Sequence, residues 1–254
     1  MTRSPTQASA RAHPPRIVIV GGGFGGLYTA LYLQKYRSLK NSSITLVEPR
    51  DRFLFTPLLY EVLTEELLLW EVAPSYATLL AGIPFQWQQV RAEHFDLDQL
   101  QCSLSQGDSL PYDYLVVATG AKTRPLPIPG IEKYAVTFRQ LEDVTEVKAR
   151  LDRLAQMPGP VSVTVIGAGA SGVELATKIA ARLGATVRLV DRGARILKPF
   201  PGGLQRQAMG ALMQRGVELH LKTEDNEVGP DYVCLDHTRF SSDLTLWATG
   251  TEAV

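Results

Sequence analysis

Two segments of this chain repeat one pattern, a β-branched run that passes at once into glycines at fixed spacing. Ile17-Val18-Ile19-Val20 leads into Gly21-Gly22-Gly23-Phe24-Gly25-Gly26, and Val163-Thr164-Val165-Ile166 leads into Gly167-Ala168-Gly169-Ala170-Ser171-Gly172. Such a run reads as a buried parallel strand, and the glycines make a tight turn into a helix. Gly21 or Gly167 permits the turn, Gly23 or Gly169 lets a pyrophosphate come against the backbone, and Gly26 or Gly172 lets helix and strand pack closely. The positive end of the helix then faces the phosphates.

Each turn has an acidic partner. Ile44-Thr45-Leu46-Val47 ends in Glu48 and Val187-Arg188-Leu189-Val190 ends in Asp191, each about twenty residues beyond the third glycine, where a carboxylate at a strand tip accepts bonds from ribose hydroxyls. One such turn is weak evidence. Strand, glycines, helix and acidic tip, twice in register, predict two dinucleotide-binding units. A further echo joins them: Tyr112-Asp113-Tyr114-Leu115-Val116-Val117-Ala118-Thr119-Gly120 and Ser242-Asp243-Leu244-Thr245-Leu246-Trp247-Ala248-Thr249-Gly250. Both read as a buried strand opening into a small-residue turn where backbone can approach a cofactor.

Composition narrows the classes. Lys and Arg number 26 against 26 Asp and Glu, so the chain lacks the basic footprint of a nucleic-acid binder. Cys102 and Cys234 are far apart and outside any C-x-x-C spacing, which marks structural thiols in a reducing compartment. His13, His94, His220 and His237 are scattered, and no metal site is expected. No apolar run is long enough to span a bilayer. The first fifteen residues carry Arg3 and Arg11, no acid and no apolar core, which excludes a secretory signal and favours a disordered tail over an organelle transit remnant.

The expected order is a tail (1–15), a first dinucleotide-binding segment (16–125), a connector and helix (126–157) and a second dinucleotide-binding domain (158–254). The first helix is expected over Leu27 to Tyr36. Thr56-Pro57 reads as an N-cap and first helical residue, with Leu63, Leu67 and Trp70 continuing at helical spacing into the core. Pro125-Leu126-Pro127-Ile128-Pro129-Gly130 is a stiff connector, and Leu141, Val144, Val147, Leu151 and Leu154 mark an amphipathic helix ended by Met157-Pro158-Gly159-Pro160. A helix over Leu204 to Arg215, a strand over Val217 to Leu221 and short antiparallel strands over 222–240 complete the pattern.

Together these residues resemble the two-dinucleotide flavoprotein reductases, and among them the type II NADH dehydrogenases, which pass electrons from NAD(P)H through FAD to a quinone. The matches are the first turn with Leu27-Tyr28, the segment from Leu46-Val47-Glu48-Pro49-Arg50 to Thr56-Pro57-Leu58, and the second turn with Val173-Glu174. The wording is most similar to the cyanobacterial and plastid branch, from about residue 16 onward. The resemblance implies an α/β fold of two Rossmann-like, glutathione-reductase-like domains, FAD on the first and NAD(P)H on the second. By it Gly21, Gly23, Phe24, Gly26, Glu48 and Pro49 hold FAD, with Glu48 on the adenosine ribose. Thr56 and Pro57 would lie beside the isoalloxazine, Ala118, Thr119 and Gly120 would line its cleft, and Gly167, Gly169, Gly172, Asp191 and Gly250 would serve the nicotinamide dinucleotide. Glu174 matches a glutamate placed near the nicotinamide; it is equally the carboxylate a helix favours in its first turn.

A disulfide reductase of this architecture needs a cysteine pair where this chain has Phe53-Leu54-Phe55-Thr56-Pro57, so direct hydride transfer from nicotinamide to flavin suffices. The implied partner is a membrane quinone, met on the cytoplasmic side of a membrane, and a homodimer is compatible with the pattern. Family members return to the FAD domain after the NAD domain and then carry an amphipathic anchor. This sequence is expected to be truncated before both, with peripheral membrane association depending on the missing part. A soluble-acceptor flavoprotein reductase and a non-catalytic nucleotide-binding remnant are the alternatives. Asp191 argues for NADH, whereas Arg192 and Arg195 could pair with the 2′-phosphate of NADPH; a preference for NADH with appreciable NADPH use is expected.

Overall fold

A computed structural model of the chain describes residues 13–124 and 126–254. Residues 1–12 of the expected tail, and Pro125 of the connector, lie outside the described residues. The chain divides into two compact units. One holds the described residues up to Phe53 together with Pro74–Gly120 and Ala253–Val254; the other holds Leu54–Ala73 and Ala121–Glu252.

The first unit is built on a sheet of four parallel strands in the order Gln86–Gln88, Ser43–Val47, Arg16–Val20, Tyr114–Val117. Ile17 to Val20 and Ile44 to Val47 are buried throughout, as a parallel sheet covered on both faces requires. The helix Phe24–Leu33 buries Gly26, Leu27 and Ala30. An antiparallel layer of Ala92–Asp96, Gln101–Leu104 and Ser109–Pro111 supplies Cys102 and Leu104, which pack with Val18, Val20 and Val47.

The second unit repeats the plan with five parallel strands in the order Glu218–Leu221, Thr186–Asp191, Ser162–Ile166, Leu244–Trp247, Ala135–Thr137. Its central strand Ser162–Ile166 is wholly buried. The helix Ala170–Arg182 turns Val173, Leu175, Ala176 and Ile179 inward, and the helix Leu141–Leu154 turns Val144, Val147, Leu151 and Leu154 inward, as its periodicity predicts. The Asp143 carboxylate starts the latter helix by accepting from the N–H groups of Arg139 (2.7 Å) and Gln140 (3.0 Å). The polar stretch 222–240 forms the expected antiparallel strands, Asp225–Val228, Tyr232–Leu235 and Thr238–Ser241.

The echo between the two units reaches single atoms. Asp113 accepts from the N–H of Arg16 and donates its own N–H to the Arg16 carbonyl, both at 2.8 Å; Asp243 makes the same two bonds to Ser162 at the same distances. Each aspartate thereby fixes the register between the central strand and its late-arriving parallel neighbour.

Four expectations need correction. The first helix spans Phe24–Leu33, not Leu27 to Tyr36: the glycines form its first turn and Gln34 ends it. Thr56 is not an N-cap but the first residue of a 3₁₀ turn, Thr56–Leu58, capped by Phe55, and the α-helix begins only at Leu59. That helix stops at Leu63, because Glu65 adopts φ 60° and the N–H groups of Glu66 and Leu67 turn back to the Glu61 carbonyl. Consequently Trp70, on the separate short helix Leu69–Val72, is 64% exposed rather than part of the core, while Leu63 is buried.

Candidate functional site

Each glycine turn sits across the ends of three strands. In the first unit Gly21 donates its N–H to the Val47 carbonyl (2.9 Å) and Ala118 donates to Val20 (2.7 Å); in the second, Gly167 donates to Val190 (2.7 Å) and Ala248 to Ile166 (2.9 Å). Gly21 and Gly167 have φ of +100° and +109°, in the region that favours glycine. A side chain on Gly26 or Gly172 would put its Cβ 1.7 Å from the carbonyl oxygen of Gly21 or Gly167. These four glycines are therefore demanded by the protein itself.

Gly23 and Gly169 are different. Both are extended N-cap residues with φ near −63° and −73°, and a Cβ on either would meet no protein atom within 4 Å. Neither of the two helices that follow has a side-chain cap on its N–H groups. Open space beside bare backbone at a helix N-terminus fits the pyrophosphate of a dinucleotide, and on this observation the residues present fit FAD and a nicotinamide dinucleotide as bound groups.

The acidic strand tips lie against these turns in matching ways. Glu48, buried, accepts through Oε2 from the Gly22 N–H (2.7 Å) and through Oε1 from the Arg50 N–H (3.0 Å). Asp191 accepts through Oδ2 from the Ala168 N–H (2.7 Å) and through Oδ1 from the Gly193 N–H (2.6 Å). Glu48 is also gripped by the Arg50 guanidinium, Nε to Oε1 at 2.8 Å and Nη2 to Oε2 at 3.0 Å. Burial pushes the Glu48 carboxyl up, but the bonds from Arg50 and Gly22 outweigh it and hold the group below the ordinary carboxylate range.

Phe24 opens the first helix, stacks on Tyr28 with centroids 5.9 Å apart and meets Phe53 edge-on at 5.2 Å. Pro49 is exposed beside Glu48. Ala118 carries the carbonyl that a Gly21 Cβ would strike at 2.3 Å, Thr119 donates its hydroxyl to the Val254 carbonyl (3.1 Å), and Gly120 accepts from the Val254 N–H (3.2 Å). The structure thus gathers Gly21, Gly22, Glu48 and Ala118 around one turn.

In the second unit Gly167, Asp191 and Gly250 line one cavity of about 740 Å³, with Arg124, Arg192 and Lys198 facing it alongside Glu224. That volume is in the range of small-molecule and cofactor sites. Three cations against two carboxylates suit a doubly charged pyrophosphate. Arg195 does not line it. Glu174, on the helix Ala170–Arg182 but beyond its first turn, stands apart from this cavity, beside Glu61 and Lys178. Desolvation first, and the Glu61 charge next, push its carboxyl above the ordinary range against the pull of Lys178. Thr56 and Pro57 are exposed on the second unit's segment Leu54–Ala73.

Several residues of the site carry no motif signal. Tyr76, fully buried, donates its hydroxyl to the Gly22 carbonyl (2.6 Å) and packs, tilted by 38°, against Trp87 with centroids 5.1 Å apart, and the Trp87 Nε1 donates to the Glu48 carbonyl (3.2 Å). Arg124 and Lys198 carry no signal in the spacing either, whereas Arg50 stands in the Glu48-Pro49-Arg50 segment of the family resemblance without its grip on Glu48 being legible there. Among the described residues no group of three His, Cys, Asp or Glu could hold a metal, and no helix is long and apolar enough to cross a membrane. Cys102 and Cys234 are both free thiols.

The chain is 39% identical over 251 residues to the demethylphylloquinone reductase NdbB of Synechocystis, covering 93% of this chain and 62% of that protein. It is 33% identical to the alternative NAD(P)H-ubiquinone oxidoreductase C1 of Arabidopsis thaliana, covering 94% of this chain and 53% of that protein. It therefore spans between half and two thirds of the length of these curated relatives. A structure of NDH2 from Plasmodium falciparum in complex with NADH superposes with a TM-score of 0.84 over 95% of this chain and 56% of that one, at 22% identity, and so shares the fold. The family model described as pyridine nucleotide-disulphide oxidoreductase matches residues 15–254, and the chain belongs to that family.

Proposed function

We propose that this chain forms the dinucleotide-binding part of an NAD(P)H:quinone oxidoreductase, with FAD on the first glycine turn and NADH on the second. The observation that carries the reading is the pair of turns in which a Cβ on the second glycine, Gly23 or Gly169, would meet no protein atom within 4 Å and in which the N–H of the preceding residue is held by an acidic strand tip. The curated relatives named above, a demethylphylloquinone reductase and a ubiquinone oxidoreductase, support quinone as the acceptor.

In this reading the protein binds and orients. Gly21, Gly23, Phe24 and Gly26 receive the FAD pyrophosphate, Glu48 with Pro49 meets the adenosine ribose, and Ala118, Thr119 and Gly120 form the flavin side of the first site. Gly167, Gly169, Gly172 and Gly250 receive the nicotinamide dinucleotide, Asp191 holds its ribose, and Glu174 serves near the nicotinamide. Thr56 and Pro57 form the turn beside the isoalloxazine. When bound, FAD supplies a carrier that takes a hydride and yields two electrons. With no cysteine at the Phe53–Pro57 stretch, transfer from nicotinamide is direct, and the acceptor is a lipophilic quinone reached from the cytoplasmic face of a membrane.

The test is spectroscopic. Purified protein, reconstituted with FAD, should show a bound-flavin spectrum that NADH bleaches anaerobically and a short-chain quinone restores. Protein that neither retains nor takes up FAD would overturn the reading.

A further inference from the structure

The segment Leu54–Ala73 belongs to the second unit, and three separate contacts fasten it to the helix Ala170–Arg182. At the N-terminal end of that helix, the Ser171 side chain meets the hydroxyl of Tyr60, which is buried and packed on Phe138 with centroids 5.3 Å apart. Two turns further on, Lys178 is bonded by Glu61 and, at 2.6 Å, by Glu66. At the C-terminal end Arg182 donates to the Leu63 carbonyl and to Asp152. Lys178 and Arg182 are only 22% and 16% exposed, so these bonds are better shielded than ordinary surface pairs.

Ser171 lies inside the second glycine turn, and Tyr60 lies two residues after the 3₁₀ turn Thr56–Leu58. Ser171 thus joins the turn around Gly169, through Tyr60, to the start of the strapped segment. The ion pairs on Lys178 tie that segment to the middle of the same helix. We infer that Tyr60 and Lys178 are positioning residues that transmit nucleotide occupancy at the second turn to the Thr56–Pro57 turn. The inference rests on the reading that the second turn binds NADH, and it needs no contact between nucleotide and segment.

Amide hydrogen exchange, read by mass spectrometry on the whole chain with and without saturating NADH, separates the two claims. In the wild-type protein NADH should slow exchange over 167–173 and also over 59–67, the latter by about threefold or more. Lys178→Met and Tyr60→Phe should keep the protection at 167–173 and lose it at 59–67, and Lys178→Arg should restore it. Wild-type protein protected at 167–173 but unchanged at 59–67 would overturn the inference. No protection at 167–173 would instead reject the placement of NADH on the second turn.

Discussion

Alanine at Gly169 and alanine at Gly172 should have opposite consequences, although the two glycines are three residues apart in one turn. Gly169 is extended, at φ −73° and ψ −173°, and its new Cβ would meet no protein atom within 4 Å. The free protein then gains only from a less flexible unfolded chain, about 0.4–1 kcal/mol. On the proposed reading the methyl nevertheless stands where the pyrophosphate approaches, and each charge-assisted bond it breaks costs roughly 1.5–3 kcal/mol, weakening NADH binding by about tenfold or more. At Gly172 the Cβ would lie 1.7 Å from the Gly167 oxygen and 2.9 Å from its carbon. Both are backbone atoms of a turn already fixed by its bond to Val190, so overpacking should cost about 1–3 kcal/mol or more and lower the melting temperature by several degrees. Thermal unfolding without ligand, paired with calorimetric NADH titration, reads both. If Gly169→Ala melts as low as Gly172→Ala, or binds NADH as the wild type does, the division between structural and ligand-facing glycines is mistaken.

Glu48→Leu should lower both flavin affinity and stability, because the N–H groups of Gly22 and Arg50 lose their acceptors at roughly 1–3 kcal/mol for a buried group left unpaired; unchanged flavin affinity would remove Glu48 from the site. The Glu48 carboxyl is held below its ordinary value of 4.5, so its contribution is present above that pH and fades as pH falls through the lower folded value. Glu48→Gln should therefore flatten the acid limb of the stability curve and leave the slope near neutrality unchanged, which urea unfolding across the acid range would measure. Asp191→Ser should move the kcat/KM ratio toward NADPH by roughly tenfold if about 1.4 kcal/mol of repulsion toward a 2′-phosphate is relieved. A ratio that stays put would mean that Asp191 does not face the ribose.

The duplicated strands, turns and acidic tips were legible because each is a local pattern whose meaning survives without its neighbours. Local pattern misleads where a distant contact overrides local preference. Helix propensity argues against a first turn that holds Gly25 and Gly26, yet the helix begins at Phe24, and at position 26 only a glycine can pass the Gly21 carbonyl. Leu63, Leu67 and Trp70 have helical spacing, but a left-handed Glu65 breaks the helix between them and leaves Trp70 exposed. Tyr76 was invisible because nothing near it in sequence says that its hydroxyl reaches Gly22, and the strap on Lys178 was invisible because Glu61 and Glu66 lie more than a hundred residues away from it.

The small difference between the two turns has the same origin. The first reads Gly-Gly-Gly and the second Gly-Ala-Gly, although the middle residue does one task in both, giving its N–H to the acidic strand tip. At Gly22 a Cβ would fall 2.3 Å from the Tyr76 hydroxyl and 2.8 Å from Glu48 Cγ. At Ala168 the methyl is present, buried and packed in the apolar core of the second unit. The extra glycine is thus set by the tyrosine that braces the first turn from beneath and not by the ligand. A search for dinucleotide sites that weighted all three glycines of the first turn equally would mistake the packing constraint at Gly22 for a binding one, whereas Gly23 and Gly169 leave open the space that the proposed reading gives to the pyrophosphates.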